Sequence, residues 1–257
     1  MSIAGLLGPV LATVAIWFAS TLLIGWLANR PRATHRAALA GTGLAGICGV
    51  LLVLWSMPSA APAAAYLGFI GALAIWGWHE FAFLGGAVSG PRRAPATSGT
   101  SGWVRFREAS AAILHHELAL AATFALLALL SWSAANPIGA QAFGLLFLLR
   151  LSAKLNLHAG VPNFNDELLP SHLSYLKSYF RVRPFGWPLA GSIAAIAGLA
   201  VSLGWRAASL PAGSGAGTGA SLLFALAALG LVEHLFMACK LRDGALWRWA
   251  LPAGPAI

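Results

Sequence analysis

Seven apolar stretches of about 20 residues constrain this chain more than any other feature: about 4–27, 37–57, 62–86, 109–132, 137–154, 187–206 and 219–239. Each can cross the roughly 30 Å hydrocarbon core of a bilayer as an α-helix, which satisfies its backbone N–H and C=O groups within the segment. Only 9% of the residues are charged, against about 25% in soluble domains. The chain therefore reads as a single integral membrane domain over 1–257, an all-α polytopic transmembrane helix bundle of about seven spans. No Lys or Arg precedes Arg30, so the first span lacks the basic flank of a cleavable signal peptide and is expected to stay as a helix. Cys48 and Cys239 read as small packing residues rather than a disulfide.

A formal charge of +9 would suggest a nucleic-acid partner in a soluble chain. Its distribution points elsewhere. If seven spans alternate, fifteen of the sixteen Lys and Arg residues lie toward one side of the membrane, thirteen in its connections and Arg150 and Lys154 in the adjoining end of span 5, and only Arg206 toward the other. This is the positive-inside signal, which predicts a periplasmic N-terminus and a cytoplasmic C-terminus anchored by Trp247, Arg248 and Trp249. The basic excess then reports topology and contact with anionic membrane lipids, and no nucleic acid is expected.

The polar residues that remain are concentrated. Span 3 ends on Trp76, Gly77, Trp78, His79 and Glu80; span 4 opens on Glu108, then His115, His116 and Glu117; span 7 ends with Glu233 and His234. An ionisable group deep in a span costs about 2.5–3.5 kcal/mol on insertion scales, so each is expected to face a partner or a cavity. Parity brings all seven histidines and all seven acidic residues to the basic side.

Over that side lies the connection 154–180, KLNLHAGVPNFNDELLPSHLSYLKSYF, which is too polar for an ordinary turn. It reads as a cap. Lys154, Asn156 and His158 are expected to reach into the helix cluster, and Gly160 and Pro162 to end the fifth helix. After Pro170 the spacing of Leu173, Leu176 and Phe180 predicts a short interfacial amphipathic helix between spans 5 and 6. Other stretches carry less. The Gly/Pro/Ser-rich connection 85–102 reads as a flexible loop with no site of its own, and 207–219 as a tether. His35 reads as a surface residue. Small residues in span 2 (Gly41, Gly43, Gly46, Gly49) and span 6 (Gly191, Ala194, Ala195, Gly198) predict close helix packing.

Three readings of the polar cluster compete. The carboxylates and imidazoles can hold helices together by pairing with Arg, Lys and one another. Alternatively Glu80, Glu108, His115, His116, Glu117, His158, Glu233 and His234 supply ligands for a metal, with a di-iron site as the candidate, although no Glu-x-x-His or His-Glu-x-x-His pair is present. In the third reading the cluster cradles a pigment. His79 would then ligate or face it, Trp76 and Trp78 would supply ring contacts, and Lys154, Asn156, Asn163, Glu167 and His172 would close the site from the cap.

The chain also resembles a known family, the photosynthetic complex assembly protein 2 family (PuhE-type) of purple photosynthetic bacteria. The resemblance is carried by Ala74 to Trp78 with Glu80 and Phe81; by Gly90, Pro91, Arg92; by Trp103, Arg105, Phe106; and by His116, Glu117. It continues through Ala135 to Pro137, Ser152 to Asn156, Gly160 to Pro162, Glu167, Leu169, Pro170, Glu233, His234 and Trp247 to Trp249. Such a protein is encoded with the reaction-centre H subunit and bacteriochlorophyll-synthesis genes. The resemblance implies an assembly factor of the bacterial inner (intracytoplasmic) membrane, acting on the reaction centre and core antenna or on bacteriochlorophyll supply. Its implied partners are reaction-centre or antenna subunits or pigment-synthesis enzymes, and the implied ligand is bacteriochlorophyll or a precursor. The alternative expectation is a membrane-embedded, metal-dependent redox enzyme, di-iron-like, working on a tetrapyrrole or another lipid-soluble substrate.

Overall fold

The structure, a computed structural model, describes residues 3–164 and 169–239. The expected contribution of Glu167 and the anchor at Trp247, Arg248 and Trp249 lie outside those residues. Seven helices follow one another: α1 (Ile3–Ala28), α2 (His35–Ser56), α3 (Pro62–Leu84), α4 (Gly102–Leu130), α5 (Ile138–Ala159), α6 (Trp187–Ser209) and α7 (Gly215–Ala238). All seven are long and apolar enough to cross a membrane, so the expected multi-pass helix bundle is what forms. Exposed tryptophans mark its two rims. Trp26, Trp103 and Trp187 stand at the basic-loop ends of their helices, and Trp55, Trp132 and Trp205 at or just past the opposite ends. Trp187 and Trp205 are eighteen residues apart on α6, about 27 Å at the helical rise, the separation at which indole belts flank a hydrocarbon core.

The bundle has an inside. Between 50% and 61% of the most apolar stretch of α3, α5 and α7 is buried, against 6% for α1 and 17% for each of α2, α4 and α6. Phe69 of α3, Phe143 of α5 and Leu222 and Leu226 of α7 are almost wholly enclosed in that core. Because lipid tails are as apolar as these side chains, close packing rather than escape from water holds them together. The tightest approach is between α2 and α3, where a Cβ placed on Gly49 would lie 2.6 Å from the Gly71 carbonyl oxygen, and the reverse holds for Gly71. Gly43 and Gly46 make room for the Trp78 ring.

Span 6 is a correction. Gly191, Ala194, Ala195 and Gly198 all point outward, and the face of α6 turned to the bundle is formed by Leu189, Ile196, Ala200 and Ala207. Small residues permit close approach but do not choose which face makes it. Cys48 and Cys239, expected as packing residues, are likewise exposed. The expected tether before span 7 is a short turn closed by a helix cap: Ser214 Oγ accepts from the Gly217 N–H at 3.0 Å, satisfying one of the orphan donors of α7.

Two helices outrun their apolar stretches. α4 begins at Gly102, seven residues before the expected start, and α5 continues to Ala159. Gly160, at φ +120, then turns the chain where any Cβ would strike the Arg183 side chain. Beyond it Val161 exchanges backbone hydrogen bonds with Arg181 and Arg183, 3.1 and 3.0 Å, which ties the two ends of the cap together. The expected helix after Pro170 is a 3₁₀ segment, Ser171–Tyr179. At three residues per turn its inner stripe falls at every third position, and the buried residues are Leu173, Leu176 and Tyr179 rather than Phe180. They pack on Phe83 of α3 and Ala112 of α4.

The connection 85–101 is the second correction. Arg92 Nε donates to Tyr179 Oη at 2.8 Å, and its guanidinium also reaches the Pro95 carbonyl and Thr97. The Ala96 N–H donates to Ser178 Oγ at 2.8 Å and the His116 N–H to the Ser89 carbonyl at 2.9 Å. Its Gly, Pro and Ser residues make turns against the cap, so the segment is anchored rather than free.

Candidate functional site

Arg150 and Lys154 are one helical turn apart on α5, so both project from one face. Each meets a carboxylate from a different neighbour. Arg150 Nη2 donates to Glu80 Oε2 of α3 at 3.3 Å, and Lys154 Nζ donates to Glu117 Oε1 of α4. His116 of α4 completes the group, its Nε2 3.9 Å from Glu80 Oε1. Its ring stacks on Phe83 at 4.6 Å, with the Lys154 ammonium 5.5 Å from the same Phe83 ring. His116 is fully buried and, among the described residues, neither ring nitrogen has a hydrogen-bond partner. Nor do Glu80 Oε1 and Glu117 Oε2.

The other expected residues go elsewhere. His79 Nε2 meets Thr123 Oγ1 of α4 at 3.0 Å. His234 is enclosed and fully satisfied: its Nδ1–H donates to the Gly230 carbonyl at 2.8 Å, which leaves Nε2 to accept from the Ser152 hydroxyl at 2.9 Å. Asn156 donates to Ser192 Oγ of α6 at 2.8 Å, and Asn163 to the Phe236 carbonyl of α7 at 3.2 Å. His158 lies edge-on to Phe106 at 5.6 Å. Glu108 sits at the rim, accepting from Thr97 Oγ1 at 2.6 Å and pairing with Arg92 at 3.4 Å. His115 is exposed on the outer face of α4. Trp78 lies against α2 and Trp76 against Phe143. His172 belongs to a separate pocket beside Arg32 and Arg93.

The eight side chains expected as metal ligands are thus not gathered at one point. Among the described residues no three His, Cys, Asp or Glu side chains are placed to hold one metal ion. Nor do the three cap residues converge, since Lys154, Asn156 and His158 tie α5 to α4, α6 and α4 in turn. Arg150 is the member the sequence reading passed over. It stands within the apolar run of span 5, where a lone arginine needs an acidic partner at the same depth, and Glu80 is that partner.

Beside the Glu80–Arg150 pair a cavity of about 340 Å³ opens between α1, α3, α5 and α7, within the size range of small-ligand sites. Its walls are Trp17 and Trp26 of α1, Trp76 of α3, and leucines of α5 and α7. Glu80, Arg150 and Glu233 form its polar part. Glu233 faces the cavity without a hydrogen bond or an ion pair among the described residues. Three carboxylates here (Glu80, Glu117, Glu233) share two cations (Arg150, Lys154), and Glu233 is the one left over. The arrangement can hold a flat apolar molecule that brings a hydrogen-bond donor or a Lewis-acidic centre to that carboxylate.

Residues 3–256 match the family described as "Protein of unknown function (DUF3623)". A Rhodobacter capsulatus protein, described as "Uncharacterized 30.4 kDa protein in puhA 5'region", is 35% identical over 247 residues, covering 95% of this chain and 90% of that protein. No solved structure matches the fold.

Proposed function

The chain belongs to the DUF3623 family, and from that premise we propose that it is a photosynthetic complex assembly factor of the PuhE type. In this reading it takes one edge of bacteriochlorophyll or of a precursor into the cavity between α1, α3, α5 and α7, with the rest of the molecule in lipid, and passes it to the reaction centre or core antenna. The observation that carries the reading is Glu233, a carboxylate with no cation of its own among the described residues, at the edge of a membrane-level cavity walled by Trp17, Trp26, Trp76 and leucines. Indole faces suit a flat macrocycle, the leucines suit its hydrocarbon tail, and the Glu233 carboxylate suits its Lewis-acidic centre or a ring N–H. The relative's description by its place in the puhA 5' region agrees with a photosynthetic setting. The membrane is then the bacterial inner membrane, with the basic side cytoplasmic, and the partners are reaction-centre or antenna subunits or the enzymes that deliver pigment.

The test is an absorption spectrum of the protein purified from pigment-producing cells, beside Glu233→Gln and Gly77→Leu. A Cβ at Gly77 meets only Ile24, at 3.7 Å, so leucine there fills the cavity without unfolding α3. A pigment band in the parent that Gly77→Leu abolishes and Glu233→Gln weakens supports the reading. A pigment-free parent, together with unchanged reaction-centre and antenna assembly on deletion of the gene, overturns it.

A further inference from the structure

A second pocket, of about 370 Å³, lies just beyond the ends of the helices on the basic side. Its lining comes from three separate parts of the chain: Arg32 just before α2 and His35 at its start, Gly86 and Arg93 after α3, and His172 and Tyr175 of the cap. We propose that this pocket binds a phosphate group at the membrane surface.

The lining contains two guanidiniums, two imidazoles and a phenol, and no carboxylate. Neither Arg32 nor Arg93 has a carboxylate within ion-pair distance among the described residues, whereas neighbouring Arg92 is spent on Tyr179 and Glu108. The Tyr175 hydroxyl and His172 Nε2 are buried and have no hydrogen-bond partner among the described residues. Gly86 is held at φ +79, and a Cβ there would come within 3.1 Å of His172 Nε2, so the backbone is shaped to admit the ring. A phosphate, with at least one oxygen each for the two guanidiniums and the hydroxyl, accepts from all three at once. The pocket stands at the level where α2 begins and α3 ends, which is headgroup depth. Two sources share the chemistry, an anionic phospholipid headgroup and a soluble phosphate or phosphate ester.

The site is also coupled to protons. His35 Nε2–H donates to the Arg30 carbonyl at 3.0 Å, and the His35 and His172 rings meet edge to face with centroids 6.1 Å apart. Burial first, then Arg32 and His35, hold His172 below the ordinary histidine range, with the Leu84 backbone hydrogen bond opposing. A phosphate beside Nε2 favours the protonated ring, so a phosphodiester, whose charge is constant over this range, takes up a proton on binding and binds more tightly as pH falls, whereas the second ionisation of a free phosphate opposes that gain.

The experiment uses the full chain. Inorganic phosphate binding is measured by calorimetry at about pH 6 and about pH 8, and lipid retention by native mass spectrometry from nanodiscs of phosphatidylcholine with and without phosphatidylglycerol. Retained phosphatidylglycerol without phosphate binding identifies the lipid as source; phosphate binding in detergent identifies a soluble ligand. Either supports the site, provided that Arg32→Gln with Arg93→Gln weakens it about ten-fold or more and that the ratio of binding at the two pH values changes in His172→Gln from the parental one, the second ionisation of the phosphate probe being common to both proteins. Tyr175→Phe, which removes one hydroxyl, weakens binding by a smaller factor at unchanged thermal stability and guards against a double variant that fails to fold. No binding of either probe, or binding undiminished in the arginine variant, overturns the proposal.

Discussion

Glu80 of α3 and Arg150 of α5 pair at 3.3 Å at the edge of a membrane-level cavity, while one turn further along α5 Lys154 pairs with Glu117 in the packed interior. Both carboxylates are enclosed, Glu80 at 11% exposure and Glu117 at 18%, whereas Arg150 is 44% exposed toward the cavity and Lys154 16%. Removing one partner of an enclosed pair strands a charge and costs about 3–5 kcal/mol. Arg150→Met, which strands Glu80, and Lys154→Met, which strands Glu117, are therefore each expected to destabilise the protein in equilibrium unfolding from mixed micelles, and Arg150→Met with Glu80→Gln, or Lys154→Met with Glu117→Gln, to recover part of the loss. A single variant that unfolds at the parental midpoint would show that its pair does not hold the bundle together.

The His234–Ser152 bond predicts a tautomer. Because the Gly230 carbonyl can only accept, the His234 proton sits on Nδ1 and Nε2 is the acceptor. Nitrogen NMR of the labelled protein should find a protonated Nδ1 on His234. Ser152→Ala leaves a buried lone pair without a donor, at a cost of about 1–3 kcal/mol. A proton found on Nε2 would sink this assignment.

How much of this was legible in the sequence depends on what each signal measures. Apolar length measures depth, so all seven spans could be read from the sequence, but it is blind where a helix continues into polar residues, as α4 does at Trp103 to Arg107 and α5 at Asn156 to His158. Parity also measures depth, and it correctly brought Glu80, His116, Glu117 and Lys154 to one level. It carries no azimuth. His115 and His116 are neighbours in sequence, yet one faces outward and the other is enclosed, and nothing in parity separates them. The cap was read with α-helical spacing, whereas Leu173, Leu176 and Tyr179 repeat at the 3₁₀ period.

At the α2–α3 crossing the prediction is a contrast between two glycines. A Cβ at Gly71 would lie 2.6 Å from the Gly49 carbonyl and 2.8 Å from Val53 Cγ2, while one at Gly41 meets nothing within 4 Å. Gly71→Ala should force the helices apart and cost about 1–3 kcal/mol. Gly41→Ala should be neutral or slightly stabilising, since alanine restricts the unfolded chain. Equal effects in thermal unfolding would mean that the close crossing does not form.

Tyr179 joins the cap to the 85–101 connection through one oxygen, which accepts from Arg92 Nε at 2.8 Å and donates to the Ala94 carbonyl at 3.0 Å. Tyr179→Phe keeps the ring among Phe83, Ala112 and Leu176 and removes both bonds. Arg92 and Arg93 are trypsin sites held against the cap, and cleavage there requires local opening. Losing about 1 kcal/mol per hydrogen bond raises the open population about five-fold for each. Tryptic cleavage after Arg92 or Arg93 should therefore accelerate by at least that factor in Tyr179→Phe, with the unfolding midpoint of the helix bundle nearly unchanged. If the rate stays at the parental value, the connection is held by Ser178 and Glu108 instead, and the Tyr179 bonds contribute nothing to its anchoring.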